Sequence, residues 1–128
     1  EYRNDQGLEA NGYLHYDKYR TFKCLLYLTD VNKASGAFSY IPGTHIDGKF
    51  LREREWNRTR VYEDIKNKPL FDYDGGCGYT EDDIVPFEAK AGSMIIFDTD
   101  LFHLGGKIED SKERLLVRLH LHDGSRWR

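Results

Sequence analysis

The chain is short of the residues that staple or punctuate a fold. Its 128 residues include two cysteines, three prolines and one methionine. Cys24 and Cys77 are too few for the disulfide scaffold of a small secreted domain. Both read as free thiols serving as small apolar fillers, in a reducing cytoplasm. Long apolar runs are also missing. Leu25 to Leu28 and Met94 to Phe97 are far too short to cross a bilayer, and the N-terminus carries no secretory signal. Neither charge dominates: 19 Lys and Arg against 22 Asp and Glu leave a net charge of −3. No basic field exists to gather nucleic acid and no run suits a bilayer, so neither is an expected partner.

What is present points to strands. Aromatic residues make up 14% of the chain, nine of them tyrosines, which favours sheets over a helical bundle. The length suits one domain, and no internal repeat or low-complexity stretch divides it. Tyr13 to Asp17, Thr21 to Thr29, Ala37 to Ile41, Ile84 to Glu88, Ser93 to Phe97 and Leu101 to Leu104 read as strands, separated by polar turns such as Asp30 to Gly36 and Pro42-Gly43. Arg114 to His122 alternates with period two. Leu115, Val117, Leu119 and Leu121 share one face, and Arg114, Leu116, Arg118, His120 and His122 the other. Ile46 to Lys68 is charged and predicts a short helix around Leu51 to Tyr62, and Phe71 to Gly78 is a glycine-rich loop. Seven or eight short strands with one charged insertion predict a mostly β fold, an antiparallel sandwich or barrel.

Within that pattern one constellation carries chemistry. His15 and Asp17 are two apart on a predicted strand, so both side chains leave the same face. Joined by a distant histidine, they form a 2-His-1-carboxylate set, which covers one face of an octahedral Fe(II) and leaves positions open. His103, after the strand Ser93 to Phe97 and its turn, supplies the third ligand. Arg114 follows eleven residues later, and its planar fork suits a carboxylate such as the distal one of 2-oxoglutarate. Lys23, Leu25 and Tyr27 share a strand face, and Lys23 or Tyr27 is a further candidate contact for 2-oxoglutarate or substrate.

These pieces, in this order, resemble the phytanoyl-CoA dioxygenase family of Fe(II)/2-oxoglutarate-dependent oxygenases. LHYDKY carries the His-x-Asp of His15 and Asp17. CLLYLTDVNKASGAFSYIPGTH resembles the strand, turn and Pro-Gly-Ser/Thr-His segment. AGSMIIFDTDLFH ends on the distal ligand His103, and Arg114 stands at the spacing of the oxoglutarate-binding arginine. The resemblance spans nearly the whole chain, more loosely from Ile46 to Pro86. It implies a double-stranded β-helix (jelly-roll, cupin-like), Fe(II) with 2-oxoglutarate and O2, succinate and CO2 as products, and hydroxylation of a C–H bond. Related halogenases lack the carboxylate, and Asp17 is present. The resemblance also implies one domain over residues 1–128, without the helices that usually precede the His-x-Asp. The apolar face Leu115 to Leu121 then lacks its usual cover, and a second subunit is one way to supply it. The alternative is a cupin-like metal-binding or non-catalytic domain of the same fold.

Other polar residues have plainer readings. His45 is expected to be a structural hydrogen-bonder, and His120 with His122 an exposed pair rather than a second metal site. Asp98 and Asp100 suit a turn, where Asp bonds its own backbone. Arg118, two residues after Arg114, is the runner-up carboxylate partner. Lys49, Arg52, Arg54, Arg58 and Arg60 alternate with Glu53 and Glu55 as a solvated face, or as a lid that attracts an anionic substrate.

Overall fold

The computed structural model describes residues 12–60 and 78–121. They form two three-stranded antiparallel sheets and one helix: β1 (Phe22–Tyr27), β2 (Phe38–Tyr40), α1 (His45–Thr59), β3 (Val85–Pro86), β4 (Met94–Asp98), β5 (His103–Gly105) and β6 (Leu116–Leu121). One sheet has the order β4-β1-β6 and the other β3-β2-β5. The fold is therefore mostly β, as the alternation and aromatic content predict. No helix among the described residues is long and apolar enough to cross a membrane.

The sheets meet through aromatic side chains. Phe38 of β2 packs on Phe97 of β4 with ring centroids 4.5 Å apart, and Leu25 of β1 completes this core. Tyr27 ties the layers by hydrogen bonds as well. Its fully buried hydroxyl accepts from the Phe38 N–H (3.0 Å) and donates to the Phe87 carbonyl (3.1 Å). A buried phenol needs such partners, because an unmet hydroxyl in the core costs about 1–3 kcal/mol.

Register decides what each face of the larger sheet presents. Cys24 lies opposite Ile96 on one side and Leu119 on the other, and Leu26 opposite Met94 and Val117. That face points away from the smaller sheet. On it Phe22, Met94, Ile96, Leu115, Val117, Leu119 and Leu121 remain between 40% and 56% exposed, while Cys24, a free thiol in the middle row, is buried among them. The face predicted for the last strand is thus wider than that strand and open among the described residues. Cys77 and His122 lie outside those residues, as do Gly7 to Asn11 and most of the glycine-rich loop.

Two expected elements take other forms. Tyr13 to Asp17 is not a strand but a single bridge at His15, because the chain leaves β5 at once: the Asp17 N–H goes to the Thr99 carbonyl instead (2.9 Å). Helix α1 starts at His45 rather than near Leu51. Gly43, at φ +82°, turns the chain, and the Gly48 N–H closes the first helical bond on the Thr44 carbonyl (2.9 Å). The Thr44 hydroxyl donates to the Ile41 carbonyl (2.7 Å) and accepts from the Phe102 N–H (2.9 Å). The structural hydrogen-bonding expected of His45 thus falls to its neighbour, and His45 itself is exposed.

The buried stripe of α1 runs through Thr44, Gly48, Leu51, Arg52 and Glu55, at helical spacing but with little apolar content. Gly48 is required: a Cβ there would run into the Asp100 carbonyl oxygen. Arg52 and Asp100 are 8% and 1% exposed, and they pair through two bonds, Nε to Oδ1 at 2.6 Å and Nη2 to Oδ2 at 2.9 Å. Arg52 is therefore part neither of a solvated face nor of a lid. Asp98 does serve the turn, accepting from the Asp100 N–H (3.0 Å), and it also pairs with Arg20 (2.8 Å). Asp100 instead anchors the helix.

Asp100→Ala is expected to lower unfolding free energy by about 3–5 kcal/mol, because it removes two charge-assisted bonds from the buried Arg52 guanidinium. The double variant Arg52→Met/Asp100→Leu should recover much of that loss. Urea denaturation of the two variants measures both values.

Candidate metal centre

The centre is assembled by a reciprocal pair of backbone bonds. The His15 N–H donates to the His103 carbonyl (3.0 Å), and the His103 N–H to the His15 carbonyl (2.8 Å). This pairing fixes the parity of two distant segments. Leu14, Tyr16 and Phe102 turn to the α1 side, where they form a core with Ile41 and Leu51. His15, Asp17 and His103 turn the other way, and His103 meets Phe97 (4.9 Å) and Phe38 (5.8 Å) between the sheets. Thr99 secures the neighbouring chain: its hydroxyl accepts from the Thr21 N–H (2.8 Å), and its N–H donates to the Thr21 carbonyl (2.9 Å).

One donor atom each from His15, Asp17 and His103 lies within 4.8 Å of the others. Both imidazoles are set by their far nitrogen. Nδ1 of His15 is 2.8 Å from the Tyr13 carbonyl, and Nδ1 of His103 is 2.6 Å from the Leu101 carbonyl. A carbonyl only accepts, so each Nδ1 carries the hydrogen, and in the neutral ring the lone pair is on Nε2. Both Nε2 atoms stand 3.6 Å from Asp17 Oδ1. Burial, with the nearby His15 ring, depresses the His103 imidazole to about 3, so it is neutral at pH 7. For Asp17, burial works to raise the carboxyl, but its polar neighbours, the Lys23 ammonium among them, outweigh it and hold the group at about 2. Two imidazole Nε2 atoms and a carboxylate oxygen on one side of a small space are a donor set that suits Fe(II).

The remaining candidates fall along the inner face of the larger sheet. Lys23 Nζ is 2.5 Å from Asp17 Oδ2, so Lys23 is the cation beside the cluster. Leu25 and Tyr27 follow on β1, and both Tyr27 hydroxyl bonds are made within the protein. Arg114 lies beyond Tyr27, half-buried, with Nη1 donating to the Gly36 carbonyl. Gly36 sits at φ +79°, and a Cβ there would press on the Gly106 carbonyl, so this loop approaches β5 backbone to backbone. Arg118 and His120 are exposed on β6, and neither belongs to the cluster. Sequence reasoning missed the Lys23–Asp17 pair and the Arg52–Asp100 anchor. The first was within reach, since both residues are candidates for the same site. The second joins two segments that no local pattern connects.

The family model for phytanoyl-CoA dioxygenase (PhyH) matches residues 9–115. The chain belongs to this family, one of Fe(II)/2-oxoglutarate-dependent oxygenases. No curated protein and no solved structure matches it.

Acid is expected to destabilise the metal-free protein. The folded state holds His103 near 3, against an ordinary imidazole at 6.5, so between these values the unfolded chain binds more protons. Stability is present in full above pH 6.5 and falls as pH drops through that window. Asp17, depressed from 3.8 to about 2, extends the loss to lower pH. The slope reaches about 1.4 kcal/mol per pH unit for each group. Thermal unfolding from pH 7 to pH 4 should follow this course, with a flatter profile for His103→Asn.

Proposed function

We propose that the chain is an Fe(II)- and 2-oxoglutarate-dependent dioxygenase that hydroxylates a small organic substrate, releasing succinate and CO2. On this reading residues 1–128 form one domain of double-stranded β-helix type, and His15, Asp17 and His103 hold the iron. The observation that carries it is the convergence of two Nε2 lone pairs and Asp17 Oδ1, each imidazole locked at Nδ1 by a backbone carbonyl. Bound Fe(II), with 2-oxoglutarate and O2, supplies the oxidising chemistry.

The chain's own residues bind, orient and exclude water. The buried His103 imidazole stays neutral and so keeps its lone pair for a cation. Phe38 and Phe97 wall His103 from solvent. Arg114 anchors the distal carboxylate of 2-oxoglutarate, which replaces the Gly36 carbonyl as the partner of its guanidinium. Tyr27 shapes the floor between Lys23 and Arg114. The alternative, a cupin-like or non-catalytic domain of the same fold, differs in forming no succinate.

Anaerobic addition of Fe(II) and then 2-oxoglutarate tests the reading, followed through the weak visible charge-transfer band of the chelate. The band is expected in the wild-type protein and absent in Asp17→Ala and His103→Ala. Arg114→Leu should weaken 2-oxoglutarate binding about a hundredfold, as loss of a charged partner does. Iron binding without the band removes the oxygenase reading and leaves the cupin-like one.

The open face of the larger sheet bears on partners. Monomers rarely leave large apolar side chains clustered in the open, and seven half-exposed ones share this face. We propose that a second copy of the chain covers it. Light scattering is expected to give a dimer that Leu119→Lys converts to monomer with unchanged circular dichroism. A monomeric wild-type protein removes this proposal.

A further inference from the structure

The two oxygens of Asp17 have divided surroundings. Oδ1 faces both imidazole Nε2 atoms at 3.6 Å, and Oδ2 meets the Lys23 ammonium at 2.5 Å. Lys23 is not a surface lysine that happens to reach inward. It stands on the inner face of β1, opposite Phe97 and His120 in register, and its side chain is 12% exposed. A lysine so placed holds its charge through a counter-ion, and the carboxylate it has is the one in the metal cluster.

A carboxylate can give an ion one oxygen or both. If both bind, one more coordination position is filled, and a set meant to leave a face open leaves less of it. A strong charge-assisted bond to the outer oxygen opposes this, because that oxygen must shed the bond before it can turn to the ion.

We propose that Lys23 is a positioning residue that keeps Asp17 a single-oxygen ligand and so holds open the coordination positions opposite the protein. The proposal rests on the assignment of His15, Asp17 and His103 as the metal site. It has a second consequence. The ammonium lies close behind the carboxylate, so it repels the incoming cation and lowers its affinity. Lys23 therefore trades binding strength for open positions. A merely structural ion pair predicts the opposite, since its loss would loosen Asp17 and weaken the site.

Mn(II) provides the test, with the whole chain and no co-substrate. Its dissociation constant is read from the free-ion paramagnetic resonance signal, and its exchangeable waters from water-proton relaxation. In the wild-type protein the bound ion is expected to keep about three waters. In Lys23→Met it should keep about two and bind about tenfold more tightly, even where thermal unfolding shows a less stable protein. Lys23→Arg should restore the wild-type water count. Lys23→Gln serves as the second neutral variant if Lys23→Met does not fold. An unchanged water count and affinity in the neutral variant, or weaker binding, overturns the role of Lys23 and leaves the metal site standing. A wild-type protein that binds no more Mn(II) than His103→Ala overturns the site itself, and the role of Lys23 with it.

Discussion

The reciprocal backbone bonds between His15 and His103 set the arrangement on which everything near the centre depends. Side chains alternate along extended chain, so pairing residue 15 with residue 103 settles the direction of every neighbour. Leu14, Tyr16 and Phe102 go under the helix, and His15, Asp17 and His103 go between the sheets. A shift of one residue in this pairing would exchange the two sets, placing imidazoles in an apolar core and aromatic rings at the cluster. The hydrophobic contact on one side and the polar cluster on the other therefore select the same register.

The helix adds a second constraint from the opposite side. Its inward stripe is short of apolar area, so α1 is held by specific contacts: the Arg52–Asp100 fork, the missing Cβ at Gly48, and the Thr44 hydroxyl between Ile41 and Phe102. All three converge on residues 100–102, immediately before His103. The turn that delivers the third ligand is thus gripped by the helix, while Thr99 grips it from the segment that delivers the first two.

How much of this was legible in the sequence follows from which forces are local. Strands β1, β4 and β6 announce themselves by alternation and by their content of Leu, Ile, Val and aromatic residues, and the structure has them within a residue or two of the expected bounds. The His-x-Asp spacing and the distant His103 were readable because their chemistry demands those residue types. The start of α1 was not, since Gly48, Arg52 and Glu55 are the residues that face inward, and an apolar stripe is what periodicity detects. Tyr13 to Asp17 reads as a short strand from the sequence alone. Only the position of Thr99, far along the chain, decides that the pairing lasts for one bridge. The identity of the cation beside the cluster depends likewise on tertiary placement, which puts Lys23 there and Arg114 beyond Tyr27.

The His15–His103 bridge joins residues far apart in sequence with just two hydrogen bonds and little strand on the first side to support them. A cation shared by these residues and Asp17 would act there as a cross-link, closing nearly the whole length of the described chain into a loop. A cation held by the folded chain and released on unfolding would stabilise the fold by its own binding free energy. The cluster would then be a clasp for the fold. A protein of this design would have that added stability only when loaded.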